Sequence, residues 1–361
     1  TLLHVLQRAG CAPEAPCGGN GTCGKCRVLI TDGEGTREVR ACQTIVSENL
    51  TVTLPEKTAG ERILTEGCIE KVAMAPVREG ALLAFDIGTT TVVCYLLSGE
   101  TGEELASASM LNPQSPYGAD VISRIQYALR DEQGTLTTCI RAGMTDLIRR
   151  VCAEAGVAPE RVGVISVVGN PCMQQLFLGI SPENLAKIPF APVLTRAETQ
   201  EAAPILPICP NALLLTVPDI SGYVGGDTMG CVLATGLYDA KEPTLMVDIG
   251  TNGEMVLAAN GRMAACSTAA GPALEGAKIR CGMRGAAGAI DHVKLENGKL
   301  RCSVIGGGKP KGICGSGLID AVAVMLETGA INRRGRVQTA EKCPEFGDRL
   351  TEENGERMFR L

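Results

Sequence analysis

The chain has 361 residues, of which 45% are hydrophobic and only 3% aromatic, so aliphatic side chains must form its core. The formal net charge is −6, and no lysine- and arginine-rich block interleaves with aromatic residues, which argues against a nucleic-acid-binding surface. No apolar stretch approaches the roughly 20 residues of a membrane-spanning helix, and no signal peptide is visible. We therefore expect a cytoplasmic protein that binds neither nucleic acid nor a membrane.

The cysteines are distributed unevenly along the chain. Of the 17 cysteines, five precede residue 45, and the others are scattered singly among apolar residues. Small secreted disulfide scaffolds space their cysteines regularly, so this pattern instead indicates a reducing compartment. The chain has only two histidines, His4 and His292, which argues against a histidine-based metal site.

The first elements predict a small, mostly β unit of about 55 residues. A short helix begins the chain, with Thr1 as its N-cap and Gly10 as its end. A strand over 26–31, a turn at 32–35 and a closing strand over 49–54 follow. Because the helix directly precedes a cysteine-rich loop with no strand before it, we expect the N-terminus to be truncated.

The cysteine-rich loop carries Cys17, Cys23 and Cys26 among four glycines, and Cys42 follows sixteen positions later. Four thiolates are the ligand set of a [2Fe–2S] cluster, two to each iron. The glycines let the loop wrap tightly and direct backbone N–H groups at sulfur. A zinc knuckle or a redox dithiol is the alternative, but zinc sites usually pair two C-x-x-C units and this loop has one. Cys11 is either an exchange ligand or a buried thiol.

This cysteine pattern carries the first family resemblance. The run over 15–28, followed by Ala41-Cys-Gln-Thr, resembles the ferredoxin module of ATP-dependent reductive activators of corrinoid proteins. Plant-type ferredoxins are more distant, because their first cysteine spacing is shorter and their last is wider. The resemblance implies an α+β, β-grasp ferredoxin-like domain over 1–55, which a linker over 56–80 follows.

Two copies of one sequence unit mark the remainder of the chain. Each copy consists of a hydrophobic strand, the sequence Asp-Ile-Gly-Thr and a second strand. The Asp-Ile-Gly-Thr sequence begins at Asp86 in the first copy and, 162 residues later, at Asp248 in the second. The glycine lets backbone N–H groups face a phosphate, the threonine hydroxyl donates to its oxygens, and the aspartate can hold Mg²⁺ or its waters. Two such turns at this separation predict a duplicated fold that holds a nucleotide from both sides.

The duplication resembles the superfamily of acetate and sugar kinases, heat-shock chaperones and actin. That resemblance implies an α/β ATPase domain over 81–361, with a first lobe over 81–240 and a second over 241–361. It also implies Mg²⁺–ATP as ligand and the carboxylates of Asp86 and Asp248 as catalytic groups. The two phosphate loops it implies consist of Asp86, Gly88, Thr89 and Thr90 in the first and Asp248, Gly250, Thr251 and Asn252 in the second.

The region between the two turns alternates helices and strands, which predicts α/β layers. Helical periodicity covers 118–130 and 136–155, and a buried strand covers 161–168. A helix is expected after Met173, and a second one at Ser181-Pro182, where serine and proline have the order of an N-cap and first helical residue.

Three further features have two explanations each. Asp227 follows a glycine-rich turn and either caps the next helix or faces the nucleotide cleft. Glu275 lies in a stretch of small residues and is either a functional carboxylate or a structural one. Gly315, Ser316 and Gly317 precede a helix and either contact the nucleotide or allow tight packing.

Four sequence blocks extend the resemblance to the activator family over essentially the whole chain: 169–173, 222–227, 269–276 and 315–320. The chain has no clear copy of the superfamily's later Gly-Gly adenosine motif, so we expect the second lobe to be incomplete. The resemblance implies that ATP drives one electron from the [2Fe–2S] cluster to a corrinoid, converting cob(II)alamin to cob(I)alamin. The implied partners are a corrinoid protein or corrinoid-dependent methyltransferase and an upstream low-potential electron donor.

Other functions fit parts of the sequence. An ATP-driven activator of another low-potential enzyme would not need the cysteine-rich module. An electron carrier with a degenerate nucleotide-sensing domain would need it but would not hydrolyse ATP. A small-molecule kinase would need a phosphoryl acceptor, and no residue of the sequence indicates which acceptor that would be. The oligomeric state stays open, a homodimer included.

Overall fold

A computed structural model describes the chain except for residues 14, 16, 22–23, 34, 48, 55–79, 251, 269–280, 284 and 354. Its contacts divide it into two compact units. Unit 1 comprises Thr1–Glu56, Ile63–Asp248 and Glu254–Ser267, and unit 2 comprises Lys57–Arg62, Ile249–Gly253 and Thr268–Leu361. Almost all of the predicted linker lies outside the described residues.

The N-terminal module of unit 1 packs one helix on a three-stranded sheet in the order β2–β1–β3. Its elements are α1 (Leu2–Arg8), β1 (Arg27–Asp32), β2 (Gly35–Arg40) and β3 (Thr51–Thr53). The predicted helix and its two predicted strands are therefore present. Strand β2 was not predicted, because five of its six residues are exposed and lack the alternation that marks a half-buried strand. The module's buried apolar side chains include Leu2, Leu3, Leu6, Val28 and Ile30.

The centre of unit 1 is a six-stranded sheet in the order β6–β5–β4–β7–β9–β8. Strands β4, β7 and β9 run parallel to one another, while β5, β6 and β8 are antiparallel to their neighbours. The bounds are β4 (Ala81–Ile87), β5 (Thr91–Ser98), β6 (Glu104–Leu111), β7 (Val162–Gly169), β8 (Glu198–Glu201) and β9 (Leu213–Thr216). This mixed sheet confirms the predicted α/β architecture.

Helices α3 (Thr135–Ala155) and α4 (Pro171–Leu178) pack on this sheet, and α2 (Val121–Ala128) packs on α4. The apolar face predicted for α3 is fully buried, and the helix ends at Gly156 in the left-handed conformation. Helix α2 begins later than predicted because Asp120 is its N-cap and forms a capping box with Ser123.

The prediction of a helix beginning at Ser181-Pro182 is wrong. The segment forms only a one-turn 3₁₀ helix, Glu183–Ala186, whose N-cap position is Pro182. Pro189 explains the early stop, because the residue before a proline is disfavoured in the helical conformation and Ile188 therefore cannot extend the turn.

The chain continues with α5 (Gly226–Ala234) and a sheet in the order β10–β11–β12. Its strands are β10 (Thr244–Ile249), β11 (Gly253–Ala259) and β12 (Arg262–Thr268). Val232 of α5 belongs to a small buried cluster with Val256 and Ala258 of β11. Both β10 and β11 were predicted to flank the second Asp-Ile-Gly-Thr turn, and both are present.

In unit 2, α6 (Gly315–Glu327) packs on the central strand of a sheet in the order β14–β13–β15. The strands are β13 (Ala289–Glu296), β14 (Lys299–Val304) and β15 (Gly312–Ile313), and a hairpin of β16 (Leu350–Glu353) and β17 (Glu356–Phe359) follows. Ile290, Val293 and Val324 are central to its apolar core. None of the helices in the described parts of either unit has the length and hydropathy to cross a bilayer.

Candidate functional site

The first predicted phosphate loop joins β4 to β5. Asp86 is paired with Val93 in the β4–β5 hairpin, and residues 88–90 form the connection. A Cβ placed on Gly88 would lie 2.8 Å from the Thr91 carbonyl oxygen, so a larger residue would force this tight turn apart. The geometry gives a physical reason for the glycine of the Asp-Ile-Gly-Thr sequence.

Side chains from the segment after β6 hold this loop by its backbone carbonyl groups. Asn112 Nδ2 donates to the Gly88 carbonyl at 2.7 Å, and Asn112 N donates to the Thr90 carbonyl at 2.8 Å. The fully buried Arg124 donates from Nη2 to the Thr89 carbonyl at 2.5 Å. The three carbonyl groups of the loop are thereby fixed by two residues that sequence reasoning did not single out.

The Thr89 side chain is also fixed. It is buried, and its Oγ1 accepts a hydrogen bond from Asn170 Nδ2 at 3.1 Å. A hydroxyl that accepts one bond keeps its own proton for donation. Thr89 can therefore donate to a phosphate oxygen, with its orientation set by Asn170.

Three aspartates from separate elements influence one another electrostatically: Asp86 at the end of β4, Asp227 in α5 and Asp248 in β10. Burial raises the pKa of Asp86 to about 7, and the negative charges of Asp227 and Asp248 contribute to that rise. The Asp86 side chain is nevertheless exposed to water, which screens part of this effect. The pKa of Asp227 is likewise raised, mainly by burial and also by Asp248. A cation would relieve the repulsion within this group.

The available side chains limit how many protein ligands such a cation could have. Within the described parts of the chain, no three histidine, cysteine or carboxylate side chains converge closely enough to coordinate one ion together. Mg²⁺ commonly keeps several waters and takes one or two carboxylates together with phosphate oxygens. The aspartate group fits that mode of binding, in which the nucleotide supplies part of the coordination shell.

The structure decides between the two explanations for Asp227. The N-cap of α5 is Gly225, while Asp227 is a residue of the first helical turn and accepts a hydrogen bond from Thr228 N at 2.7 Å. Asp227 is therefore not the cap. Its electrostatic coupling to Asp86 and Asp248 places it with the aspartate group instead.

A further carboxylate, Asp219, was missed by sequence reasoning. It is 6% exposed, and its Oδ1 accepts from Gln174 Nε2 at 3.0 Å. Burial raises its pKa to about 7, with the nearby Asp227 adding to the shift and a hydrogen bond from Gly226 N opposing it. Its only sequence signal is a carboxylate just after β9, and in a parallel sheet the ends of neighbouring strands share one edge.

The second predicted phosphate loop is described in part. Asp248 lies in β10, and Gly250 N donates to the Asn252 carbonyl at 2.9 Å to form a turn. Gly250 and Asn252 belong to unit 2. Thr251 and Glu275 lie outside the described residues.

The Gly315–Gly317 motif begins α6, with Cys314 as the N-cap. Ser316 Oγ donates to the Asp291 carbonyl at 2.9 Å, and a Cβ on Gly317 would lie 2.3 Å from the Ile290 carbonyl oxygen. These contacts support the packing explanation for Ser316 and Gly317. The nucleotide contact proposed for this motif stays a prediction.

Three of the four predicted ligands belong to the N-terminal module, although no three thiols of its described residues converge on one point. Cys26 and Cys42 are buried and Cys17 is partly exposed, while Cys23 lies outside the described residues. Ala41 N donates to the Cys26 carbonyl at 2.8 Å, which joins the backbone beside Cys42 to that of Cys26. Cys11 is partly buried and packs against the module's apolar core.

The glycines of this loop adopt conformations that other residues avoid. Gly18, Gly19, Gly21 and Gly24 have φ values of 61°, 88°, 77° and 66°. A Cβ on Gly19 would lie 4.0 Å from the Cys42 Cβ, so the loop backbone passes directly over that cysteine. A loop of thiols and backbone N–H groups wrapped in this way suits an iron–sulfur cluster.

The fold and these two sites define a ferredoxin-like module joined to an actin- and sugar-kinase-like domain, as the sequence predicted. The chain belongs to the RACo family. The model described as the RACo middle region matches residues 82–240, and the model described as the C-terminal domain of RACo, the ASKHA domain, matches residues 242–360.

Individual relatives agree with this assignment. The chain is 38% identical over 288 residues to the corrinoid activation enzyme RamQ of Eubacterium limosum, covering 77% of this chain and 48% of the relative. It is 28% identical over 306 residues to the [Co(II) methylated amine-specific corrinoid protein] reductase of Methanosarcina barkeri, covering 76% and 56%. The chain thus spans about half the length of these curated relatives.

One solved structure and one partial relative extend the comparison. A structure described as a reductive activator for corrinoid, iron-sulfur protein superposes with a TM-score of 0.65 at 28% identity, covering 99% of this chain and 74% of the other. One component of the Na(+)-translocating NADH-quinone reductase of Serratia proteamaculans (strain 568) is 37% identical over 75 residues, which cover 16% of this chain and 18% of the relative.

Proposed function

We propose that this chain belongs to an ATP-dependent reductive activator that passes one electron from a [2Fe–2S] cluster to the corrinoid of a partner protein. The cob(II)alamin of that partner gains the electron and becomes cob(I)alamin. The observation that carries the proposal is that one compact unit contains both the cysteine-rich loop and the phosphate loop with its three aspartates. The names of the two curated relatives support a corrinoid protein as the partner.

The proposed domains follow the sequence division: a ferredoxin-like domain over 1–55, a linker over 56–80, and two nucleotide-binding lobes over 81–240 and 241–361. Strands β1 to β3 lie in the first domain and β4 to β9 in the first lobe, while residues 254–267 of the second lobe belong to unit 1 by their contacts.

In the proposed nucleotide site, Asp86 and Asp248 position Mg²⁺ and its waters, which neutralise phosphate charge. Residues 88–90 supply backbone N–H groups and the Thr89 hydroxyl to the phosphate oxygens, in the loop that Asn112 and Arg124 hold. Gly250, Thr251 and Asn252 form the second loop.

In the proposed electron site, Cys17, Cys23, Cys26 and Cys42 would hold a [2Fe–2S] cluster, which would supply one electron at a time. Ferredoxin-type clusters lie near roughly −400 mV. Coupling of about 5 kcal/mol from nucleotide binding would cover a step about 200 mV uphill, since about 59 mV of one-electron potential equals about 1.4 kcal/mol. A low-potential donor must then return the electron to the cluster.

The test is spectral conversion of cob(II)alamin to cob(I)alamin on an isolated corrinoid protein, with the whole activator protein and a low-potential reductant. We expect conversion with Mg²⁺–ATP, and little conversion without it or with Asp86→Asn. Equal conversion without ATP would overturn the ATP coupling and favour an electron carrier. ATP hydrolysis that the corrinoid protein does not stimulate, without any conversion, would overturn the assigned partner.

A further inference from the structure

The ferredoxin-like module sits on a particular piece of the ATPase lobe, residues 112–124, here called the bridging segment. Gln7 of α1, 9% exposed, donates from Nε2 to the Pro116 carbonyl at 2.8 Å. A Cβ on Gly18 would lie 3.0 Å from the Tyr117 carbonyl oxygen and 3.9 Å from the Ser123 Cβ. The backbone next to the predicted ligand Cys17 therefore lies directly against the bridging segment.

The same segment holds the first phosphate loop. Asn112, its first residue, binds the carbonyl groups of Gly88 and Thr90. Within the segment, Gln114 N donates to Asn112 Oδ1 at 2.9 Å and Ser115 Oγ donates to the Asn112 carbonyl at 2.7 Å. Because these bonds brace the segment internally, a displacement at the phosphate loop is carried towards Pro116.

Arg124 joins the two contacts through one side chain. Its Nη2 donates to the Thr89 carbonyl at 2.5 Å, its Nε to the Gly118 carbonyl at 2.9 Å, and its Nη1 to Gln114 Oε1 at 3.2 Å. The guanidinium is planar and fully buried, so these bonds are short-range, directional and strengthened by the low dielectric. A rigid group thus fixes the phosphate loop and the docking surface in one geometry.

We propose that Arg124 is a positioning residue that couples nucleotide binding at the first phosphate loop to the seating of the ferredoxin-like module. Nucleotide binding and module seating each order the bridging segment. Whichever occurs second loses less conformational entropy, because the backbone is already ordered. The coupling is reciprocal by thermodynamic linkage: the module strengthens nucleotide binding by the factor by which the nucleotide strengthens seating. This inference rests on the proposed function for its nucleotide.

The test compares Arg124→Lys with a matched control, Arg141→Lys. Lysine keeps the charge but replaces the planar fork with a point donor. Arg141 is partly buried and, like Arg124, donates from Nε to a backbone carbonyl, that of Phe177, at 2.8 Å, but it lies in α3 outside the bridging segment. Calorimetry with Mg²⁺ and a non-hydrolysable ATP analogue gives the affinity, and hydrogen exchange over residues 2–8 and 112–118 reports seating.

In the unmutated protein, we expect saturating analogue to slow exchange in both segments. Arg124→Lys should weaken analogue binding about tenfold and abolish the slowing over residues 2–8, while Arg141→Lys changes neither. Analogue-induced slowing over residues 2–8 that persists in Arg124→Lys would overturn the inference, because Arg124 would then only shape the loop. Unchanged affinity would also overturn it.

Gln7→Leu gives an independent test if Arg124→Lys does not fold. It removes the contact to Pro116 at the module surface and leaves the phosphate loop untouched, so linkage predicts a loss of analogue affinity of a few fold. Gln126→Leu, an exposed position on α2, is the control. Unchanged affinity in Gln7→Leu would overturn the inference while corrinoid reduction by the unmutated protein still supported the proposed function. If the unmutated protein bound no nucleotide, both this inference and the proposed function would be wrong.

Discussion

Among single residues, Asp86 combines a position in the first phosphate loop with a strongly altered acidity. Its pKa is about 7 against an ordinary 3.8, first because burial disfavours the charge and then because Asp227 and Asp248 are nearby. A carboxyl in this state is half protonated at neutral pH. It gains most from a bound cation, which would favour the ionised form.

The altered acidity predicts a pH-dependent effect of Asp86→Asn on stability. The folded protein holds this proton more firmly than the unfolded chain, so the group's stabilisation is complete below about pH 4 and is lost as pH rises through about 7. Asparagine, which stays neutral, should raise the unfolding temperature of the nucleotide-free protein by up to a few degrees at pH 8 and hardly at pH 4. Asp146→Asn, at an exposed carboxylate paired with Arg149, is the control in thermal unfolding. An equal shift at both pH values would contradict this cause.

A second prediction concerns proton release on nucleotide binding. If Mg²⁺ binds beside Asp86, the pKa of that carboxyl should fall, and about half a proton should leave it at pH 7. Calorimetry in two buffers of different ionisation enthalpy measures this release. Asp219 also has a pKa of about 7, so the informative quantity is the difference between the unmutated protein and Asp86→Asn. Identical proton release in both proteins would place Mg²⁺ away from Asp86.

At the scale of elements, the start of α5 is shaped by its contact with the turn between β7 and α4. A Cβ on Gly225 would lie 2.6 Å from both the Asn170 Cα and the Gly169 carbonyl oxygen. Asn170 in turn orients the Thr89 hydroxyl. The glycine-rich turn before Asp227 is therefore a packing requirement that also sets the positions of two site residues.

Gly225→Ala should accordingly destabilise unit 1 by about 1–3 kcal/mol, the usual cost of an overpacked contact, and weaken nucleotide binding through Asn170. Gly230→Ala in the same helix is the matched control, because its Cβ would lie 3.5 Å from a Val168 methyl group, an ordinary contact. Alanine there should be neutral or stabilise the helix by up to about 1 kcal/mol. Denaturant unfolding compares the two, and equal effects would show that the contact at Gly225 does not matter.

At the scale of the whole molecule, sequence reasoning succeeded where a local pattern carries the information. The periodic apolar face of α3 and the repeated Asp-Ile-Gly-Thr unit both predicted the elements that the structure has. It failed where tertiary contacts decide: Arg124, Asn112 and Asp219 act through residues far away in sequence, and the one local signal is the position of Asp219 just after β9. Exposed strand β2 was missed because its stability comes from pairing with β1, not from a buried face.

Iron and sulfide content tests whether the N-terminal module supplies the electron carrier. Cys42 is buried beneath the glycine loop, within 4.0 Å of the Cβ position of Gly19, so a serine there keeps the shape but removes a soft thiolate ligand. After anaerobic reconstitution, the unmutated protein should contain iron and acid-labile sulfide in [2Fe–2S] proportion and give an electron paramagnetic resonance signal when reduced. Cys42→Ser should lose most of that iron and signal.

Cys266→Ser is the matched control, since Cys266 is exposed on β12 and lies outside the module, and it should leave iron, sulfide and signal unchanged. Zinc without iron in the unmutated protein would contradict the cluster and support the zinc knuckle instead. Equal iron in Cys42→Ser and Cys266→Ser would show that Cys42 is not a ligand, and Cys11, which packs in the same module, would be the next thiol to replace.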